Sequence, residues 1–208
     1  MPFYTVGHST RTLDELVHAL RSFGVRALAD IRTVPRSRHV PHFNQESLSR
    51  ALPRRGIEYR HIRTLGGLRK PRPDSRNTAW RNASFRGYAD YMETAEFAAA
   101  LNEVRVLERE RGPVALMCAE AVPWRCHRSL VADALTAGGD TVLHIMAPGQ
   151  ALAHALASWA RVDAGRVTYP GPPPVPAVRT TRPRRPPGRE RPPRSRAGTG
   201  PRPPAAPY

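Results

Sequence analysis

Short apolar runs alternate with amphipathic stretches along most of the chain. The runs are rich in β-branched and aliphatic residues and end at Gly or at polar residues, which predicts buried strands. They cover residues 3–6, 27–31, 57–62, 113–118 and 141–146. The stretches between them carry apolar residues at helical spacing and predict helices over 13–20, 46–54, 85–92, 95–111 and 126–137. The spacing of Leu152, Ala155, Leu156 and Trp159 predicts one more helix after Gly149.

The first predicted helix carries its own start signal. Thr12 and Glu15 stand three positions apart in the form of a capping box, in which each side chain accepts from the other residue's backbone N–H. Gly24 then supplies an end signal. Strands 3–6 and 27–31 therefore flank a helix, as in a parallel crossover unit.

Repetition of this unit predicts the fold class. Strands that alternate with helices form a mostly parallel sheet with helices on both faces. We therefore expect an α/β domain with a sheet of about five strands. The irregular stretch over 65–83 is long for a compact domain, and such loops are typically functional or mobile.

Charge and composition divide the chain into two parts. The 208 residues carry a formal net charge of +16, and residues 166–208 are dominated by Pro and Arg, with one acid, Glu190. Such a segment cannot bury enough apolar surface to offset its ordering entropy. We therefore predict a domain over 1–165 and a disordered C-terminal tail over 166–208. The tail either binds nucleic acid through its arginines or is a passive extension.

Composition also excludes several classes of protein. No apolar run approaches the roughly 18–20 residues that a membrane span needs. The first residues lack a basic region followed by a long apolar region, so we expect no signal peptide. Two cysteines do not form a disulfide framework and fit a reducing compartment. These features predict a cytoplasmic protein that does not insert into a membrane.

The candidate chemistry lies at the carboxyl ends of the strands, where parallel sheets bind ligands. His8 and Ser9 follow the first strand, Asp30 and Arg32 the second, and Cys118 and Glu120 the fourth. His127 and Arg128 open the helix that comes next. Arg36, Arg38, His39 and His42 lie in a proline-broken loop and form either an anion-facing rim or a solvated surface.

Cys118 is the sharpest candidate for a reactive group. A helix N-terminus and arginines favour the thiolate form of a nearby cysteine. The alternative is an inert core residue, because cysteine is often buried at such positions. His127 is either a general base or a core histidine, and Arg128 either binds an anion or pairs with Glu120 or Asp30.

We expect neither a metal nor another cofactor. Seven residues lie between Cys118 and Cys126, which is wider than the spacing of structural zinc sites, although His8 could complete a ligand set in space. A disulfide between the two cysteines is disfavoured in a cytoplasmic protein.

These residues, taken in order, resemble the family called domain of unknown function 488 (DUF488). The matching segments are 4–9, 30–32, 35–37, 43–44, 56–59, 65–67, 85–89, 117–120 and 126–128. The resemblance covers about 3–145 and implies a compact α/β domain without a settled activity. A weaker similarity to rhodanese-like domains implies that Cys118 carries a persulfide in sulfur transfer. The stretch from Cys118 to Arg128 is longer than the compact rhodanese loop.

The leading functional hypothesis is an enzyme-like domain that binds a small anion at the strand ends, such as a cysteine-dependent transferase or hydrolase. Cys118 would be the nucleophile or sulfur carrier, and His127 or His8 would move protons. Arg32 and Arg128 would hold the anion, Ser9 would contact it, and Asp30 and Glu120 would orient the arginines. The alternatives are a nucleic-acid-binding module that uses the basic surface and tail, and an ion-paired structural cluster. The substrate and the oligomeric state are open.

Overall fold

The computed structural model describes residues 1–172, which contain eight strands and five α-helices. The strands are β1 Phe3–Gly7, β2 Ala27–Asp30, β3 Glu58–His61, β4 Val114–Cys118, β5 Val142–Ala147, β6 Gln150–Ala153, β7 Arg161–Asp163 and β8 Arg166–Thr168. The helices are α1 Leu13–Arg21, α2 Gln45–Ala51, α3 Ala83–Met92, α4 Ala95–Arg111 and α5 Arg128–Ala137. Within this part of the chain, no helix has the length and apolar character needed to cross a bilayer.

Six strands form one sheet in the order β3-β2-β4-β1-β5-β6. The first five strands along the chain are parallel, and only β6 runs antiparallel to its neighbour. The predicted α/β class with a mostly parallel sheet is therefore confirmed. The register pairs Gly7 with Cys118 and Asp30 with Met117, so the ends of β1, β2 and β4 meet at one edge of the sheet.

Helices cover both faces of the sheet, as the sequence predicts. On one face the core is built from α1, α2 and residues such as Val6 and Leu28. On the other face α3, α4 and α5 pack on residues such as Ala29 and Leu116. The central strand β4 is buried along its whole length because both faces are covered. α1 begins at the predicted capping box, with both reciprocal bonds between Thr12 and Glu15 present.

The predicted helix after Gly149 is wrong. Gly149 has a φ of +69° and turns the chain back, and β6 then pairs antiparallel with β5. β7 and β8 follow as a two-stranded sheet. The helical spacing of Leu152 and Trp159 is not a buried face, because these side chains are 52% and 48% exposed. The open edge of β5 presents unpaired backbone N–H and C=O groups, and hydrogen bonds to these groups replace the hydrogen bonds of a helix.

The folded part also extends beyond the expected boundary at residue 165. β8 includes Val167, which is 5% exposed, and is followed by Tyr169, which is fully buried. Tyr169 donates from its hydroxyl to Asp133 on α5 at 2.5 Å and from its backbone N–H to Asn77 at 2.9 Å. Residues 166–169 therefore belong to the domain core. The predicted disorder and nucleic-acid binding of the tail fall mostly on residues 173–208, outside the described residues.

Candidate functional site

The strand-end residues divide into two adjacent buried clusters. The Arg32 cluster consists of His8, Asp30, Arg32 and Tyr59. The sulfur cluster consists of Cys118, Cys126, His127 and Arg128. The ladder between β1 and β4 continues past the strands and joins the two regions, since the His8 backbone N–H donates to the Cys118 carbonyl at 3.0 Å.

Arg32 and Asp30 form a bidentate ion pair in the first cluster. Arg32 Nε and Nη2 donate to the two carboxylate oxygens of Asp30 at 2.9 and 2.6 Å. Nη2 also donates to the Phe43 carbonyl at 2.7 Å, and the Tyr59 hydroxyl donates to Asp30 at 2.8 Å. Asp30 is fully buried and Arg32 is 7% exposed. Burial and the Asp30 charge raise the pKa of Tyr59, so its hydroxyl keeps its proton and remains a donor.

His8 completes the Arg32 cluster. Its Nδ1 donates to the Ser9 carbonyl at 3.0 Å, and its Nε2 accepts from Arg32 Nη1 at 3.2 Å. The ring stacks on Phe43 with the centroids 4.3 Å apart. Burial, together with the Arg32 charge, lowers the pKa of His8 to about 4. His8 is therefore neutral at pH 7 with both ring nitrogens occupied.

This geometry favours the ion-paired structural interpretation for His8, Asp30 and Arg32. All three guanidinium nitrogens of Arg32 already have partners inside the protein. Ser9 contacts the cluster through its backbone. Its carbonyl accepts from His8, and its N–H donates to the Ala119 carbonyl. The predicted contact of Arg32 and Ser9 with an external anion stays a prediction.

In the sulfur cluster, the sulfur atoms of Cys118 and Cys126 are paired as a disulfide. The expectation that a cytoplasmic protein lacks this disulfide is therefore corrected. The eight-residue separation is closed by a short loop and a 3₁₀ turn over Pro123–Arg125, which returns the chain to the end of β4. Both residues are buried, at 2% and 5% exposed, although Trp124 beside them is 63% exposed.

Arg128 holds this loop against the end of β4. Its Nη1 donates to Cys118 Sγ at 2.9 Å and to the Glu120 carbonyl, and its Nη2 donates to the Ala121 carbonyl at 2.9 Å. Arg128 is 1% exposed, and among residues 1–172 its buried Nε–H donor has no acceptor. Burial lowers the pKa of Arg128 to about 10, which leaves the group charged at neutral pH.

The sequence predicts that Arg128 either binds an anion or pairs with the carboxylate of Glu120 or Asp30. Neither carboxylate contacts Arg128 in the described part of the chain, since Asp30 pairs with Arg32. Glu120 accepts from Arg128 through its backbone carbonyl oxygen, and Glu120 itself is exposed. Gly7 makes this arrangement possible, because a Cβ at Gly7 would overlap the Glu120 carbonyl and crowd Arg128 Nη1. The predicted meeting of Cys118 with Arg128 is present as a direct contact between the guanidinium and the sulfur.

His127 faces inward, as its helical position predicts. Its Nε2 donates to the Ile31 carbonyl at 3.0 Å, so Nδ1 carries the lone pair. Nδ1 lies 3.6 Å from Cys126 Sγ, and the Arg128 backbone N–H donates to the same sulfur at 3.5 Å. Burial lowers the pKa of His127 to about 4, so the ring is neutral at pH 7 and its Nδ1 is a hydrogen-bond acceptor. Cys126 therefore has a neutral imidazole on one side and a helix N-terminus on the other.

A cavity of about 380 Å³ opens next to this cluster. It is lined by Thr33, Arg63, Thr64, Gly67, Leu68, Arg69 and Glu96. Gly67 is its wall toward His127, since a Cβ on Gly67 would lie 3.0 Å from His127 Nδ1. The glycine thus leaves one layer of backbone between the cavity and the imidazole that contacts Cys126.

Sequence reasoning missed a third buried chain of polar side chains. Thr5 bonds to His144 at 2.7 Å, His144 to His154 at 2.9 Å, and His154 to Asp133 at 2.8 Å, where Tyr169 also donates. The available signals were His144 inside an apolar strand and Asp133 inside the apolar stretch of α5. Among residues 1–172, no group of three or more His, Cys, Asp or Glu side chains is arranged to hold a metal ion.

The family model described as "Domain of unknown function DUF488" matches residues 12–135. The chain belongs to this family. The match is shorter than the expected 3–145: it includes both cysteines, His127 and Arg128 but leaves out His8. No curated protein and no solved structure matches the chain.

Proposed function

We propose that this DUF488 protein is a sulfur-transfer protein in which Cys126 attacks and Cys118 resolves. The proposal rests on the composition of the sulfur cluster. Its two sulfurs are paired, the Arg128 guanidinium donates to Cys118 Sγ, and the helix N-terminus donates to Cys126 Sγ. The neutral imidazole of His127 also contacts Cys126. Arginine side chains and helix N-termini favour thiolates, and thiolates are the nucleophiles of sulfur chemistry.

Cys126 is the better attacking group because of its place in the fold. It lies in an irregular loop between exposed Trp124 and the start of α5, whereas Cys118 ends the central strand of the sheet. His127 Nδ1 accepts a hydrogen bond from the Cys126 thiol, the thiol proton leaves to water, and the Arg128 backbone N–H contacts the resulting thiolate. The guanidinium of Arg128 does the same for Cys118.

The reaction balances with an anionic donor of sulfane sulfur such as thiosulfate. The Cys126 thiolate attacks the outer sulfur, the S–S bond of thiosulfate breaks, and sulfite leaves with the electron pair. Cys126 then carries a persulfide, which an acceptor nucleophile can take. In the absence of an acceptor, the Cys118 thiolate attacks the inner sulfur of the persulfide, hydrosulfide leaves, and the Cys118–Cys126 disulfide forms. An external dithiol returns the pair to the reduced state.

In this proposal, the anionic sulfur donor approaches the sulfur cluster through the cavity beside Gly67. Arg63 and Arg69 outnumber Glu96 in its lining and give it a net positive charge, and its backbone wall adjoins His127. The weaker similarity to rhodanese-like domains points to the same chemistry, with the difference that the carrier moves from Cys118 to Cys126.

The test is to reduce the full chain, remove the reductant and add thiosulfate. Intact-mass spectrometry should show one added sulfur atom on the Cys118→Ser variant, because its persulfide cannot be resolved. The wild type should pass to the disulfide with release of hydrosulfide, and Cys126→Ser should gain no sulfur. Sulfur loading of Cys126→Ser at the rate of Cys118→Ser would refute the assignment.

A further inference from the structure

A second, larger cavity lies in the loop between β2 and α2. Its volume is about 670 Å³, and it is lined by Val34, Arg36, Ser37, Arg38, Pro41 and Asn44. It shares no lining residue with the cavity beside Gly67, and no cysteine borders it. The sulfur-transfer proposal leaves it without a role.

The loop that forms this cavity is held in place by its own hydrogen bonds. The Gln45 backbone N–H donates to the Pro35 carbonyl at 2.9 Å, and the Ser37 N–H donates to Asn44 Oδ1 at 2.7 Å. Ser37 Oγ in turn accepts from the N–H groups of His39 and Val40 at 3.2 and 3.3 Å. The cavity is therefore preorganised, so little loop ordering opposes the binding of a ligand.

The charge of the cavity is uncompensated. Two guanidinium groups line it, on Arg36 and Arg38, and no carboxylate of the described part of the chain does. Within residues 1–172, neither arginine takes part in an ion pair. In contrast, Arg32, a few residues earlier in the chain, is saturated by Asp30. The planar guanidinium fork matches the oxygens of phosphate, which it binds in a bidentate way.

The cavity also offers apolar surface and a suitable size. Val34 and Pro41 both line the cavity, and Val34 is 64% exposed. The volume falls within the roughly 300–1,000 Å³ of sites that take small organic ligands. Positive charge, hydrogen-bonding groups and an apolar wall together fit a phosphate that is attached to an organic body.

We propose that the loop over residues 34–44 is a binding site for a small phosphate ester of the nucleotide type. Arg36 and Arg38 hold the phosphate, and Val34 contacts the organic part. The site lies at the carboxyl edge of the sheet, where the loop that follows β2 is available for ligands.

Calorimetric titration of the full chain with adenosine 5′-monophosphate tests this site. The wild type should bind it saturably, and the R36A/R38A double variant should bind it at least about tenfold more weakly, since charged hydrogen bonds are lost. Adenosine without phosphate should not bind to the wild type, and inorganic phosphate should bind more weakly than the ester. Arg38→Glu should lose binding through charge repulsion.

The matched control is R26A/R109A, which removes the same charge from exposed arginines near the opposite edge of the sheet. This control also preserves the Arg-rich residues after 172, whose general attraction for phosphate is the same in all variants. Its affinity for the nucleotide should equal that of the wild type. Equal weakening of both double variants, or no binding to the wild type at millimolar concentration, would overturn the proposal.

Discussion

The Arg32 cluster and the sulfur cluster occupy neighbouring strand ends and are built from similar residue types, yet they differ in hydrogen bonding. In the first, every nitrogen of the Arg32 guanidinium has a partner, and a carboxylate neutralises its charge. In the second, Arg128 has no carboxylate partner within the described part of the chain, and its Nε is unsatisfied. Saturated buried networks rigidify a fold, whereas groups left under-satisfied deserve a chemical explanation. This difference is consistent with a structural role for the Arg32 cluster and with the reactive role proposed for the sulfur cluster.

Acid should produce the largest effect, because both clusters hold a neutral histidine. His8, His127 and, outside the clusters, His144 have a pKa lowered to about 4 from 6.5 by burial. A histidine with a depressed pKa contributes its full stability above pH 6.5 and loses it as the pH falls toward 4. At about 1.4 kcal/mol per pKa unit, we expect a loss of more than about 5 kcal/mol in the free energy of unfolding by pH 4. Urea unfolding across this pH range measures it.

NMR titration of the histidine side chains separates the clusters within the same experiment. His8 and His127 should both stay neutral until the pH falls to about 4, because both have a lowered pKa. If His127 titrated near pH 6.5 and His8 did not, only the Arg32 cluster would be sealed from water.

Asp30→Asn should have the next largest effect. It leaves the buried Arg32 charge without its carboxylate, and breaking a buried pair in this way costs about 3–5 kcal/mol. Chemical denaturation at pH 7 gives the change in unfolding free energy. The control is Asp14→Asn, which breaks the pair with Arg55 at 2.8 Å, where Asp14 is 84% exposed, and should change stability little. Similar losses in the two variants would contradict the structural role of the Arg32 cluster.

Removing the cysteine pair should have a smaller effect on stability. The bond closes a loop with a sequence separation of eight, for which the loop-entropy model gives about 2–3 kcal/mol. Cys126→Ser should therefore be less stable than the oxidised wild type by about this amount, and reductant should remove most of the difference. A wild type whose stability does not respond to reductant would show that the pair contributes nothing to folding.

Gly67→Ala should have the smallest effect on stability and a specific effect on the sulfur cluster. The new methyl group would lie 3.0 Å from His127 Nδ1, so the ring must shift by a few tenths of an ångström, which disturbs the contact of Nδ1 with Cys126 Sγ. We expect a loss below about 1 kcal/mol and slower alkylation of reduced Cys126. Gly7→Ala is the contrasting variant, because its methyl group would meet the Glu120 backbone and should destabilise the domain far more. Unchanged alkylation in Gly67→Ala would separate His127 from the reactivity of Cys126.

Local patterns were sufficient for most of the architecture. The capping box at Thr12, the apolar run of β4 and the alternation of strands and helices each depend on neighbours in the chain, so they can be recognised in the sequence alone. The helix predicted after Gly149 failed because an open sheet edge, which no local pattern reports, supplied competing backbone partners. The same limitation hid the core position of Tyr169, whose partner Asp133 is 36 residues away.

The sequence by itself determined the fold class, the family and the edge of the sheet at which His8, Asp30, Arg32 and Cys118 gather, because parallel strands end on one side. Only the tertiary structure decided which of these residues neutralise one another. The sequence allowed Asp30 to pair with either Arg32 or Arg128. In the structure, β2 lies in register beside β4, and a loop brings Cys126 to Cys118. As a result, Arg32 binds the Asp30 carboxylate and Arg128 contacts the Cys118 sulfur. Partnerships between buried charges depend on distances of a few ångströms between distant segments, and a linear pattern carries no such distances.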